Sequence, residues 1–211
     1  MYYVGIDLSL NSTGMVICKN NNYEFFSFVN GDFDKEFKNK HGRVLSEFKT
    51  HKEISQFVNV FNYTRYLNVE DYQISEYNKI YDADKVTDLI VSKIPDNSII
   101  AIEGFSYASK SRSFIDIISY ASVLRYKIFK KFKKLLVFSP SEIKKFATGK
   151  GNADKFKMFD AILNENIQHP YFEYLENNAD SLVTKTKIKK PIDDINDAYF
   201  VCQLLKNYTK I

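Results

Sequence analysis

Cysteine is nearly absent: only Cys18 and Cys202 occur, each inside an apolar segment. Two such residues do not form a disulfide framework. They read as buried, reduced thiols in a cytosol-like compartment. Histidine is as scarce, and His41, His51 and His169 lie far apart with no Cys or His partner at zinc-ligand spacing, which argues against structural zinc. No apolar run approaches the ~20 residues needed to span a bilayer. The opening MYYVGID lacks the basic segment and long apolar stretch of a signal peptide, so a cytoplasmic location and no membrane partner are expected. Trp is missing altogether, and Gly and Pro are few. No internal repeat or low-complexity tract is present.

What is there describes a globular chain. Hydrophobic residues make up 45% of the 211, and aromatics, all Tyr and Phe, 16%. That is enough for a sizeable core, and one domain spanning 1–211 is the expectation at this length. Net charge is only +4, but cations concentrate in the second half. Arg125 to Lys134 carries six cations in ten residues, followed by Lys144, Lys145, Lys150, Lys155 and Lys157, then Lys185, Lys187, Lys189 and Lys190. A basic surface in pieces suits a polyanion, although a basic run is commonly just a solvated helix face.

The hydrophobic pattern predicts strands over residues 2–8, 15–19 and 23–29, the last two joined as a hairpin by Asn20-Asn21-Asn22. Residues 98–102 and 135–138 read as two more, the first uninterrupted enough to lie in the middle of a sheet. Helices are predicted over 82–93, 113–131, 141–147, 154–164 and 193–207, with a polar loop through the 170s and 180s. Residues 30–80, charged and rich in Asn and Tyr, read as an insertion of loop and short helices. This order predicts an α/β fold, a mixed five-stranded sheet flanked by helices.

Acidic residues fall at the ends of these elements. Asp7 closes the first strand, and Glu103 closes the buried one. Asp194 and Asp197, three apart, share a face of the last helix. Asp193 reads as that helix's N-cap, but capping does not account for Asp197. If Asp7, Glu103, Asp194 and Asp197 converge, they are untenable together unless protonated or neutralised: two carboxylates 4 Å apart repel by about 4 kcal/mol at an effective dielectric of 20. Hard oxygen ligands select Mg²⁺ or Mn²⁺, and two such ions form a phosphodiester-cutting centre.

Four stretches in this order resemble the RuvC-type Holliday junction resolvases of the ribonuclease H-like superfamily. VGIDLSLNSTG is similar to the family's first strand and turn. AIEGFSYASKSRS is similar to the segment of the second acid, SPSEIKKFATGKGNADKFKM to its Pro, Lys, G-x-G, A-x-K stretch, and DDINDAYFV to its D-x-x-D-A helix. The resemblance implies a ribonuclease H-like fold and an Mg²⁺-dependent endodeoxyribonuclease that resolves four-way DNA junctions by paired nicks as a homodimer. Asp7, Glu103, Asp194 and Asp197 would hold two Mg²⁺ ions, with Mn²⁺ able to substitute, and Lys155 would assist at the phosphate.

DNA contacts are then expected from Lys110, Arg112, Lys144, Lys145 and Lys150, with Gly149 and Gly151 allowing close backbone approach to a phosphate and the helix after Ala153 directing amides at it. The family's base-wedging aromatic falls at a place flanked by Phe105 and Tyr107, and Phe105 equally suits core packing. Compact size, composition and the insertion suggest a phage or large-DNA-virus version. The alternatives are another virus-encoded nuclease of this fold, terminase-type or debranching, and a non-catalytic DNA-binding module. The chain carries no G-x-x-x-x-G-K-[ST] to mark an ATPase partner, and it retains all four acids.

Overall fold

The computed structural model describes residues 1–31, 46–65, 70–105 and 112–209, with the side chains of 46–49, 112 and 113 outside that description. Six strands form one sheet in the order β4-β3-β2-β1-β5-β6. β1 (Tyr2–Asp7), β2 (Ser12–Lys19) and β3 (Asn22–Asn30) are an antiparallel meander. β5 (Ser98–Glu103) and β6 (Leu135–Phe138) add in parallel on the β1 side. Asn20 and Asn21 both take positive φ, as the tight β2–β3 turn requires.

Strand alternation divides the core. Val4, Ile6, Met15, Ile17, Ile100 and Ile102 face α2 (Tyr72–Ser92) and α3 (Arg112–Phe132). Val16, Cys18, Phe25 and Ala101 face the other way, toward α4 (Pro140–Thr148), α5 (Lys155–Leu163), α6 (Pro170–Leu182) and α7 (Ile192–Tyr208). Both cysteines are buried and unbridged.

The expected five-stranded sheet has a sixth member. β4 (Asn59–Tyr63), inside the insertion, pairs in parallel with β3. Its asparagines read as loop because an edge strand can leave polar side chains to solvent, and its parallel partner lies some thirty residues away. The same insertion supplies α1 (Ser46–Ile54), and α2 reaches back to Tyr72, capped by Asp71 through the Ile74 amide.

α6 replaces the expected polar loop. His169 caps it through Nδ1, Pro170 opens it, and Tyr171, Phe172, Leu175 and Leu182 are buried. Those four positions make an apolar stripe with helical spacing. The last helix starts at Ile192 after Pro191, so Asp193 is inside the helix and its carboxylate caps nothing.

Candidate metal centre

Register explains how the acids meet. In the β1–β5 ladder Gly5 pairs with Ala101 and Ile6 with Ile102, so Asp7 and Glu103, one residue on, project side by side on the α7 face. On the other side of β1, Asp7 pairs with Gly14. α7 lies directly over this point. A Cβ on Gly14 would sit 2.2 Å from the Asp194 carbonyl oxygen, and one on Gly5 2.3 Å from that of Ala198. The two glycines therefore let the α7 backbone rest on the strands, bringing its first turns over the Asp7 carboxylate.

Asp7, Glu103 and Asp197 each offer a carboxylate oxygen, and the three oxygens lie within 4.8 Å of one another. They open onto a cleft of about 780 Å³, lined also by Ser9, Asn30, His51, Phe105, Lys144, Lys155, Lys190 and Asp194. Burial, with the Asp7 and Asp197 charges beside it, holds the Glu103 carboxyl well above the usual range. Burial raises Asp7 against the pull of Lys190, and a hydrogen bond links the Asp7 and Glu103 carboxyls. Asp197 is likewise pushed up by burial and by the Asp7 charge. Three clustered carboxyls that resist ionisation as a group suit a divalent cation, which relieves their repulsion and displaces the proton between them.

Asp194 and Asp193 are engaged otherwise. Asp194, 1% exposed, accepts an ion pair from Lys190, while its Oδ2 is buried without a hydrogen-bond partner. Burial pushes its carboxyl up to about 7 despite the opposing Lys190 charge. Asp193 is bound by Lys155 and lies 3.2 Å from Lys190 Nζ. Burial works against both ammonium groups, but their acidic neighbours outweigh it and hold each above the ordinary lysine range.

The other expected residues are placed as follows. Lys144 lines the cleft, whereas Lys145 and Lys150 are exposed on and just beyond α4. Gly149 is the left-handed C-cap of α4 at φ 77°, with open space beside it. Gly151 packs close to α4, where a Cβ would lie 3.1 Å from the Ser141 carbonyl oxygen. The Asp154 side chain caps α5 by accepting from the Lys157 amide. Phe105 lines the cleft and packs against the core on the α2/α3 side, its ring edge-on to Phe114 and under the Arg125 guanidinium. Tyr107 and Lys110, and the side chain of Arg112, lie outside the described residues. Sequence reasoning passed over His51, Asp193 and Lys190 as site residues. Lys190 reaches Asp194 from outside α7, so helical spacing did not single it out, and His51 had no signal either.

No protein-family model matches the chain, and no curated protein does. Among solved structures, the yeast mitochondrial Holliday junction resolvase Ydc2 superposes with a TM-score of 0.52 at 13% identity, covering 98% of this chain and 81% of that one. The chain has the RuvC-type resolvase fold. Thermus thermophilus RuvC matches at TM-score 0.48 and 10% identity over 99% of this chain and 97% of its own. The same protein in complex with a Holliday junction substrate matches at 0.49 and 9%, over 100% and 95%. Within this fold, the three gathered acids come from the ends of β1 and β5 and from α7.

Proposed function

We propose that the chain is an Mg²⁺-dependent endonuclease that cuts four-way DNA junctions by paired nicks, acting as a homodimer. The observation that carries this reading is the carboxylate triad of Asp7, Glu103 and Asp197 at the floor of a lysine-rimmed cleft. These residues would hold the divalent ion, which when bound supplies positive charge to the reacting phosphate and lowers the pKa of water. Hydrolysis adds water to phosphorus and breaks one P–O ester bond, leaving a phosphate on one strand end and a hydroxyl on the other.

The protein's own groups support that chemistry. Lys144 and Lys155 line the cleft, where they can draw a phosphodiester backbone toward the triad. Phe105 lines the cleft and is an aromatic there that an unpaired base would meet, although Arg125 lies over its ring. Paired nicks require two centres at fixed separation. Exposed Ile115, Tyr126 and Phe129 on α3, with Tyr77 and Ile80 on α2, provide apolar surface for a second copy. One sheet covered on both faces supports reading 1–211 as a single nuclease domain.

The test is incubation with a mobile four-way junction and Mg²⁺ beside fork and linear duplex controls. Symmetric nicks that vanish in EDTA are expected. Asp7→Asn should lower the rate by about 10³-fold or more, as loss of several kcal/mol of charge stabilisation implies, while gel-shift binding survives. Cutting by Asp7→Asn at the wild-type rate would refute the assignment, and equal degradation of all three DNAs would refute junction selectivity.

A further inference from the structure

Among the described residues, Asp7, Glu103, Asp193, Asp194 and Asp197 surround the centre, with the Lys155 and Lys190 ammonium groups among them and Lys144 in the same cleft. Lys155 binds Asp193, and Lys190 bridges Asp193 and Asp194 from the turn before α7. Lys190 lies outside α7, and from there its ammonium reaches forward to the Asp194 carboxylate. Its side chain is 31% exposed, and the Asp194 side chain only 1%. The pair therefore closes one wall of the cleft.

A second metal ion beside the triad would have to draw on Asp194. Lys190 already holds Oδ1 of that residue, leaving the buried Oδ2 as the atom available. A dication placed there would stand against a neighbouring ammonium in a poorly solvated pocket, where like charges repel strongly. Removing the ammonium would leave a buried carboxylate without a counter-charge. Each role is open to a single positive charge at this spot.

We propose that Lys190 is a resident cation: its ammonium takes the place of a second metal ion, and the Asp7, Glu103 and Asp197 triad holds one divalent ion per chain. This rests on the metal-dependent reading above and narrows it. Lys190 neutralises Asp194, which positions α7 and its Asp197 ligand, and it adds a fixed positive charge beside the reacting phosphate. The charge needs no metal loading, so activity should depend on divalent ion concentration with a Hill coefficient of one.

The experiment is a Mn²⁺ titration of the full chain read by electron paramagnetic resonance, with and without a four-way junction. One bound Mn²⁺ per chain with no exchange coupling is expected in the wild type, and two coupled ions in Lys190→Met. Two coupled ions in the wild type, or one in Lys190→Met, would overturn the proposal. If Lys190→Met does not fold, Asp194→Asn decides: it should keep one Mn²⁺ with affinity within about threefold of wild type, about half of a tenfold step in free energy. A larger loss there would make Asp194 a metal ligand and overturn the proposal. No Mn²⁺ bound by the wild type would sink the metal-dependent reading itself, and the inference with it.

Discussion

Gly14→Ala tests whether the strand–helix contact sets the centre. Gly14 is paired with Asp7 across β1 and β2, and its missing side chain faces the first turn of α7. An added Cβ would stand 2.2 Å from the Asp194 carbonyl oxygen, 2.5 Å from its carbonyl carbon and 2.8 Å from the Ile195 nitrogen. All three are backbone atoms, so no rotamer change relieves the clash. Comfortable separations begin at about 3.5 Å, and α7 must therefore retreat by about 1 Å. Overpacking of this kind costs about 1–3 kcal/mol. At ~2–4 °C per kcal/mol for a chain of this size, Tm should fall by roughly 2–12 °C. The retreat carries Asp197 away from Asp7 and Glu103, and a misplacement of ~1 Å can cost about 10²-fold in rate. Thermal melts and initial cleavage rates measured well below Tm separate the two effects. A variant with wild-type Tm and a rate within about twofold of wild type would refute the reasoning, since a ~10²-fold loss is predicted.

Three other outcomes are expected. Junction binding should weaken with salt, the log–log slope gaining about −0.9 for each phosphate neutralised; a flat response would exclude the lysine rim as the DNA platform. Burial raises the carboxyl of Asp194 from 3.8 to about 7, against Lys190, and raises those of Glu103 and Asp197. The folded chain thus binds more protons than the unfolded one, and metal-free stability should fall as pH rises from about 4 to about 7. Melts in EDTA should give a lower Tm at pH 8 than at pH 5, with Mg²⁺ raising Tm more at pH 8; the opposite trend would refute the buried cluster. Lys155→Ala and Asp193→Asn should each destabilise the chain, and the double variant by less than the sum, with a coupling of about 0.5–3 kcal/mol. Additive losses in denaturant melts would show that the ion pair is not formed.

Much of the fold is written in local pattern. The apolar run before Glu103 predicts a central strand, and β5 is flanked by β1 and β6. The hairpin at Asn20–Asn22, the helix after Pro140 and the D-x-x-D spacing of α7 all depend on neighbours within a few residues. α6 was legible too, through the spacing of Tyr171, Phe172, Leu175 and Leu182, but the polar residues between them obscured it. β4 was not, because a short parallel edge strand is defined by β3 and carries little signal of its own.

The sequence by itself determined which residues are acids and which element ends carry them, because strand and helix periods follow from side-chain order alone. Tertiary structure decided how those acids divide. Asp7, Glu103 and Asp197 gather because β1 and β5 pair in parallel and two glycines admit α7 to the sheet. Asp193 meets Lys155 across 38 positions of chain, and His51 reaches the cleft from within the insertion. Charge pairing in a buried pocket depends on distance through space, and no spacing along the chain encodes it.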